Sequence, residues 1–249
     1  MAALTNIPII MYHHVLEKNS LDAAVWGNLY VDVKDFKKQA DFLKKNGYKT
    51  IDFAELGNII DGKMQAPQKP VILTFDDAYK STLINTAPIL RENEQKAVVS
   101  LVTGCIGGLD SWDKKCKENN EIIDKAELGR YAENIFSIES HTVSHPHFRG
   151  IEKEKLEFEL KESKNYIEKT FRKAVNALIY PYGEYSEEAK AAVKKAGYRF
   201  GVTVSAKTNF VLEDLYELRR VYIKNTDSIT AFSRKISSWY LCYRGFRRR

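Results

Sequence analysis

Short apolar runs and longer amphipathic stretches take turns along the whole chain. The clearest run is 71–75, V-I-L-T-F, apolar or β-branched as a strand covered on both faces requires. Pro70 precedes it, where it removes no interior ladder donor. Runs at 7–15, 48–51, 96–103, 135–139, 175–180, 198–204 and 218–223 predict further strands. Between them, apolar residues recur at helical spacing. Val33, Phe36, Ala40 and Leu43 predict a helix over 33–46, with Asp32 as its cap and Gly47 just past its end. Helices are also predicted over 53–60, 88–93, 122–132, 152–171 and 186–196. Pro88 fits a first helical turn, after a polar segment at 78–86. Thr226 or Asp227 caps a last helix that runs to about 237. In the highly charged helix 152–171, Leu156, Leu160 and Ile167 mark the buried side, and the Glu and Lys residues read as a solvated face.

Strand and helix alternate with loops of ordinary length, the pattern of βα units around a parallel sheet. About eight strand candidates favour a closed (β/α) barrel, or one with a unit missing, over a doubly wound sheet. Neither G-x-G-x-x-G nor G-x-x-x-x-G-K occurs, which counts against dinucleotide and P-loop folds. No linker or repeat divides the 249 residues. They read as a single α/β domain, with a core over about 7–223 and a C-terminal helix and basic tail over 224–249.

Composition narrows the class. With 44% hydrophobic and 29% charged residues the chain reads as globular, and no apolar run approaches the roughly 20 residues of a membrane helix. The opening M-A-A-L-T-N has neither the basic nor the apolar part of a signal peptide, so the chain is expected to be cytoplasmic or to lack its export segment. The net charge of +6 draws on Arg244, Arg247, Arg248 and Arg249. Such a tail suits a polyanion or simple solvation, and no nucleic-acid motif accompanies it. Cys105, Cys116 and Cys242 make neither a disulfide framework nor a C-x-x-C metal site. Cys105 and Cys116 flank one loop, as a pair in an oxidising compartment or as free thiols.

The chemistry begins where the run 71–75 ends, at Asp76 and Asp77. The carboxyl edge of a parallel sheet is where α/β folds bind ligands. Neighbours on extended backbone point to opposite sides, so two adjacent aspartates suit two different jobs. Buried without a cation, one of them would stay protonated; a metal ion lets both ionise. Alone, the pair also suits one capping Asp and one solvated Asp. The histidines add to the picture. All five, His13, His14, His141, His145 and His147, fall at the ends of predicted strands. His141-x-x-x-His145 has a spacing seen in zinc sites, and Pro146 pushes His145 away from helical backbone into a turn. Two imidazoles and one carboxylate leave coordination positions open, as in catalytic rather than structural zinc.

T-F-D-D at 74–77, S-H-T-V-S-H-P at 140–146 and Y-P-Y-G at 180–183 together resemble the polysaccharide deacetylases, carbohydrate esterase family four. M-Y-H-H-V at 11–15 is similar to the branch that includes the poly-N-acetylglucosamine deacetylases of biofilms. The resemblance covers about 7–223 and implies a distorted (β/α)7 barrel. It also implies a divalent metal, usually zinc, on Asp77, His141 and His145; the same donors accept cobalt or nickel. It makes Asp76 the catalytic base, the Tyr182 N–H an oxyanion donor and His13 the general acid, with His14 as the alternative. Three family features are missing: the Arg two residues before the Pro, here Ile179; an Asp-x-x-Asp-Trp motif around 204–210; and a late Leu-x-His. Arg220 is expected to replace the missing Arg beside Asp76, with Arg219 as the alternative or a purely structural Arg. Trp112, Tyr79 and Tyr185 are loop aromatics that would stack on a sugar or pack on their own loops.

The implied activity is metal-dependent removal of N-acetyl groups from an N-acetylglucosamine-containing polysaccharide of biofilm or cell wall. The alternatives are an O-acetyl esterase on xylan-type glycans and a carbohydrate-binding homologue with weakened turnover. The substrate class points to an extracellular or cell-surface location with the export segment absent from this chain, and a cytoplasmic one stays open. The expected partner is an acetylated polysaccharide, with no nucleic acid and no transmembrane segment.

Overall fold

The computed structural model describes residues 7–17, 26–112, 120–204 and 214–237. In chain order its elements begin with β1 (Ile9–Tyr12), β2 (His14–Leu16), β3 (Tyr30–Asp32), α1 (Val33–Lys45), β4 (Lys49–Thr50) and α2 (Phe53–Ile60). Then come β5 (Pro70–Phe75), α3 (Lys80–Glu92), β6 (Ala97–Leu101), α4 (Lys125–Ala132), β7 (Phe136–Ser140) and α5 (Lys153–Phe171). Last are β8 (Ala177–Ile179), α6 (Glu187–Lys195), β9 (Phe200–Thr203), β10 (Leu218–Arg219), β11 (Val221–Tyr222) and α7 (Ile229–Ile236).

Strands β1, β5, β6, β7, β8 and β9 pair in parallel around a barrel. One interrupted segment fills the seventh position: β10 pairs with β9, and β11 pairs with β1. The ring therefore closes at the residue between them, Arg220. This is a distorted (β/α)7 barrel in a single domain, with β4 added beside β5 and a separate ribbon of β2 and β3.

Alternation sorts the strand residues into two layers. Ile10, Val71, Leu73 and Val99 face outward into the layer shared with the helices. Ile9, Ile72, Val98, Ala177, Phe200 and Leu218 fill the barrel interior. Helix α2 plugs the amino end with Phe53, Leu56 and Ile59, each 5% exposed or less. Burial of each such side chain stabilises by about 1.5–3 kcal/mol. A capping box fixes where α2 starts: Asp52 accepts from Glu55 N, and Glu55 accepts from Asp52 N.

Several boundaries depart from the sequence expectations. The run 7–15 breaks at His13, and the run 218–223 breaks at Arg220. Pro88 lies inside α3 rather than in the first turn of a short helix. Pro88 and Ile84, whose carbonyl the proline leaves without an N–H, both lie on the exposed side of the helix, where the lost bond costs least. Helix α4 starts at Lys125, after the cap Asp124. Ser228, not Thr226 or Asp227, caps α7, because Asp227 turns back to accept from Lys224 N. Among the described residues no helix is long and apolar enough to cross a membrane. Cys105 is half-buried, while Cys116, Cys242 and the arginines at 244 and 247–249 lie outside the described residues.

Candidate active site

The alternation that fills the interior also delivers the site. Along β5, Ile72 and Thr74 point inward, and Asp76 continues the rank one step past the strand end. The register Tyr12↔Phe75 brings His13 to the level of Asp76, and Thr74↔Val98 does the same for Ser100. Arg220 enters from the closure point. Its Nη1 donates to Asp76 Oδ1 at 2.6 Å and to Thr74 Oγ1 at 3.1 Å, and its Nε donates to Thr203 O at 3.2 Å. Ser100 Oγ donates to the same Asp76 oxygen at 3.1 Å, and His13 Nε2 lies 3.8 Å from Oδ2. Arg219 is turned away, onto Glu217. Burial alone would raise the Asp76 carboxyl, but Arg220 and His13 outweigh it and hold it well below the usual carboxylate range. Burial also lowers the His13 pKa, against the pull of Asp76. A fifth of the His13 side chain stays open to solvent.

Asp77 leaves the strand in a left-handed conformation (φ 68°), as does Ala78 (φ 59°). That turn sends the second carboxylate to a different cluster. Asp77 Oδ1 lies 3.5 Å from His141 Nε2 and 3.6 Å from His145 Nε2, and the three ligand atoms lie within 4.8 Å of one another. Burial and the neighbouring Asp76 push the Asp77 carboxyl well above its usual range. Burial pushes His141 down to about 4 and His145 down to about 2, so both rings are neutral. His141 Nδ1 is 2.7 Å from Ile179 O, and donation there leaves the Nε2 lone pair facing Asp77. Asp77 Oδ1 is buried with no hydrogen-bond partner among the described residues. A buried carboxylate oxygen without a donor and two neutral imidazoles aimed at it fit a divalent cation. All three carry over the ligand set implied by the resemblance.

The turn that brings in His145 is tightly held. Thr142 (φ 71°) and His145 (φ 54°) are both left-handed, and His145 N donates to Thr142 Oγ1. Glu159, on α5 beneath the turn, accepts from Val143 N at 2.8 Å, Ser144 N at 2.9 Å and Ser144 Oγ at 2.5 Å. A side chain at Gly104 would sit 2.6 Å from Val143 O, so only glycine lets the next loop close on this one. The imidazole of His145 stacks on Trp112 at 4.5 Å and meets the edge of Tyr182, also at 4.5 Å. Tyr182 itself has φ 56° in the turn Pro181–Gly183. Of the seven non-glycine residues with positive φ among the described residues, five belong to these site loops, as expected where function over-determines the backbone.

His13 and His14 part company. His14 is buried between Trp26 (3.8 Å) and Tyr79 (4.0 Å), stacked on both, and burial holds it well below the usual imidazole range. Of the two alternatives for Tyr79 the packed one holds: it is 2% exposed and donates to Asp110 Oδ2. Trp112 does line the cavity of about 380 Å³ above the two aspartates, with Tyr182 and Val204 at its mouth. Tyr185 lies outside that cavity, packed on Tyr180.

Three contributors were not singled out in the sequence. Thr74 and Ser100 are polar residues inside apolar strands, a signal that was available. Glu159 was read with the solvated face of its helix, yet it is 2% exposed. It shares the stripe of Leu156, Leu160, Ser163 and Ile167, all buried, so its spacing marked it as buried.

Comparison with known proteins shows the family. The family model for polysaccharide deacetylases matches residues 63–201. YxkH of Bacillus subtilis, whose name assigns it provisionally to the polysaccharide deacetylases, is 28% identical over 232 residues, 93% of this chain and 76% of that protein. The poly-β-1,6-N-acetyl-D-glucosamine N-deacetylase of Staphylococcus epidermidis is 26% identical over 245 residues, 92% of this chain and 81% of that one. Among solved structures, the Streptococcus pyogenes deacetylase PplD in complex with acetate superposes with a TM-score of 0.82 at 24% identity, over 93% of this chain and 98% of that chain.

Proposed function

The chain belongs to the polysaccharide deacetylase family, and on that premise we propose that it hydrolyses the N-acetyl amide of β-linked N-acetylglucosamine units in a biofilm or cell-wall polymer. The staphylococcal relative's named substrate supports this choice of polymer. Such a substrate lies outside the cell, and the reading therefore includes an extracellular or cell-surface location.

The family is metal-dependent, and Asp77, His141 and His145 are the residues that would hold the ion, with zinc favoured by an oxygen and two nitrogen donors. Bound there, such an ion supplies a Lewis acid for the acetyl carbonyl and makes water a stronger acid. Asp76 accepts a proton from the attacking water. Arg220 keeps that carboxylate ionised and oriented before the reaction. The Tyr182 N–H stabilises the developing oxyanion, a role typically worth about 10²–10³ in rate.

The observation that carries the amide reading is His13 facing Asp76 at 3.8 Å. An amine cannot leave as an anion, so amide cleavage needs an acid beside the base, whereas an ester's alkoxide needs less help. The proton that Asp76 takes from water passes to His13 across that gap, and His13 delivers it to the sugar nitrogen.

The test is acetate release from N-acetylglucosamine oligomers by metal-stripped protein, before and after zinc is restored. The expected result is zinc-dependent release, reduced by at least about 10³-fold in Asp76→Asn with zinc still bound. Release from O-acetylated xylan alone would move the substrate to esters. Bound zinc with no release from either substrate would leave a carbohydrate-binding homologue.

A further inference from the structure

Beside the site cavity lies a second and larger one. This cleft, about 1070 Å³, runs between the amino-terminal part of α5 and the whole length of α6. Both helices begin at the carboxyl edge of the barrel, so the upper end of the cleft reaches the face that carries Asp76 and Asp77. Gly183 lines both cavities. The wall between them is the Pro181–Gly183 turn together with His147. His147 stacks on Tyr182 at 3.9 Å with nearly parallel rings, and its Nδ1 is 3.1 Å from Glu184 Oε2. Tyr182 is 44% exposed and His147 is also exposed, so the wall is a low aromatic ridge that a chain can cross. A β-carbon on Gly183 would meet Val204 at 2.8 Å, which pins this turn in place.

The lining says what kind of chain. Half-buried Tyr185 gives the cleft aromatic surface, while Phe148 is buried beneath its floor, and its volume is at the upper end of ordinary ligand sites. Arg149, Lys153 and Lys195 are balanced by Glu157, Glu184 and Glu188. Lys195 and Glu157 pair across from α6 to α5 at 2.9 Å. A surface with donors and acceptors but no net charge selects neither a polyanion nor a polycation. It suits a neutral, hydroxyl-rich chain that stacks on aromatic faces.

We propose that the cleft between α5 and α6 binds the sugars flanking the unit being deacetylated, with the polymer crossing the His147–Tyr182 ridge. The proposal rests on the polysaccharide reading above and adds where the rest of the polymer lies. One consequence is that the enzyme gains rate from units several places away from the amide it cleaves.

The experiment compares kcat/KM for a dimer and a hexamer of β-1,6-linked N-acetylglucosamine on the zinc-loaded full chain, and hexamer affinity by fluorescence titration. The hexamer is expected to exceed the dimer by about tenfold or more. Ala192→Trp, which fills the cleft from α6, should bring that ratio towards one and weaken hexamer binding. Exposed Arg149→Ala should do the same in part and keeps the test alive if the bulky variant fails to fold. Equal kcat/KM for dimer and hexamer in the unaltered chain would overturn the cleft, and so would variants that lower both substrates by one common factor. If the unaltered chain released no acetate, the proposed activity would fall, and the titration would still decide the cleft: hexamer binding unaffected by Ala192→Trp would sink it.

Discussion

The two ends of the barrel are built by the same alternating strands but stabilised in opposite ways. At the amino end, inward positions are Ile9, Ile72, Val98 and Phe200, and α2 closes them over with Phe53, Leu56 and Ile59. At the carboxyl edge, the next inward positions are Thr74, Ser100, Asp76, His13 and Arg220, joined in one polar network. Asp77 Oδ1, His145 Nδ1 and Arg220 Nη2 are buried there without partners among the described residues. Non-glycine left-handed residues cluster there too. The amino end supplies folding free energy. The carboxyl edge holds charge and backbone strain that folding alone would not select, and the amino end offsets them.

The sharpest way to break this comparison is to weaken the amino end and see whether the site notices. Phe53 is fully buried and packs on Phe200 at a centroid distance of 5.7 Å. Phe53→Ala should lower unfolding stability by about 3–5 kcal/mol in chemical denaturation. Zinc affinity of the protein that remains folded should be unchanged, because α2 packs into the opposite end of the barrel from the metal cluster. A large loss of zinc affinity would mean that the two ends are one cooperative unit.

The second test runs the other way. Glu159 supports the turn carrying His145 through two backbone N–H groups and the Ser144 hydroxyl. Glu159→Ala should weaken zinc binding by about 10- to 100-fold in chelator competition on metal-stripped protein, the usual cost of losing a group that orients metal ligands. Glu159→Gln should recover part of that, since an amide oxygen still accepts from the backbone. Equal zinc affinities in all three proteins would make Glu159 a structural carboxylate only.

What the sequence disclosed follows the same division. The amino end was legible because it depends on spacing: strands of period two and helices of period 3.6, such as 53–60, follow from short-range rules. Asp76, Asp77, His141 and His145 were legible because three short motifs resemble one family, and the barrel brings them together. Breaks inside strands were not legible. His13 and Arg220 sit where β1 and β10 end early, and what ends them is their aim at Asp76 across the barrel, a contact between residues 144 apart in the case of Arg220. Local propensity carries no trace of such a contact. Glu159 was within reach, but a charged residue on a charged helix invites the solvated reading until its register is counted.

The smallest expected effect bears on strain itself. Ala78 is fully buried at φ 59°, a conformation that costs a residue with a β-carbon about 1–2 kcal/mol. Glycine removes that cost but gives up about 0.5–1 kcal/mol in the unfolded chain. Ala78→Gly should therefore stabilise the metal-free protein by about 0.5–1 kcal/mol, read as a rise in the denaturation midpoint at constant m-value. The same substitution frees the backbone next to Asp77, whose turn away from Asp76 depends on two successive left-handed residues. A more stable apoprotein that holds zinc less tightly would show that the strain at 77–78 is what presents Asp77 to the ion. If stability fell instead, packing of the Ala78 methyl against its buried neighbours would outweigh its backbone cost, and the carboxyl edge would be less strained than its dihedral angles imply.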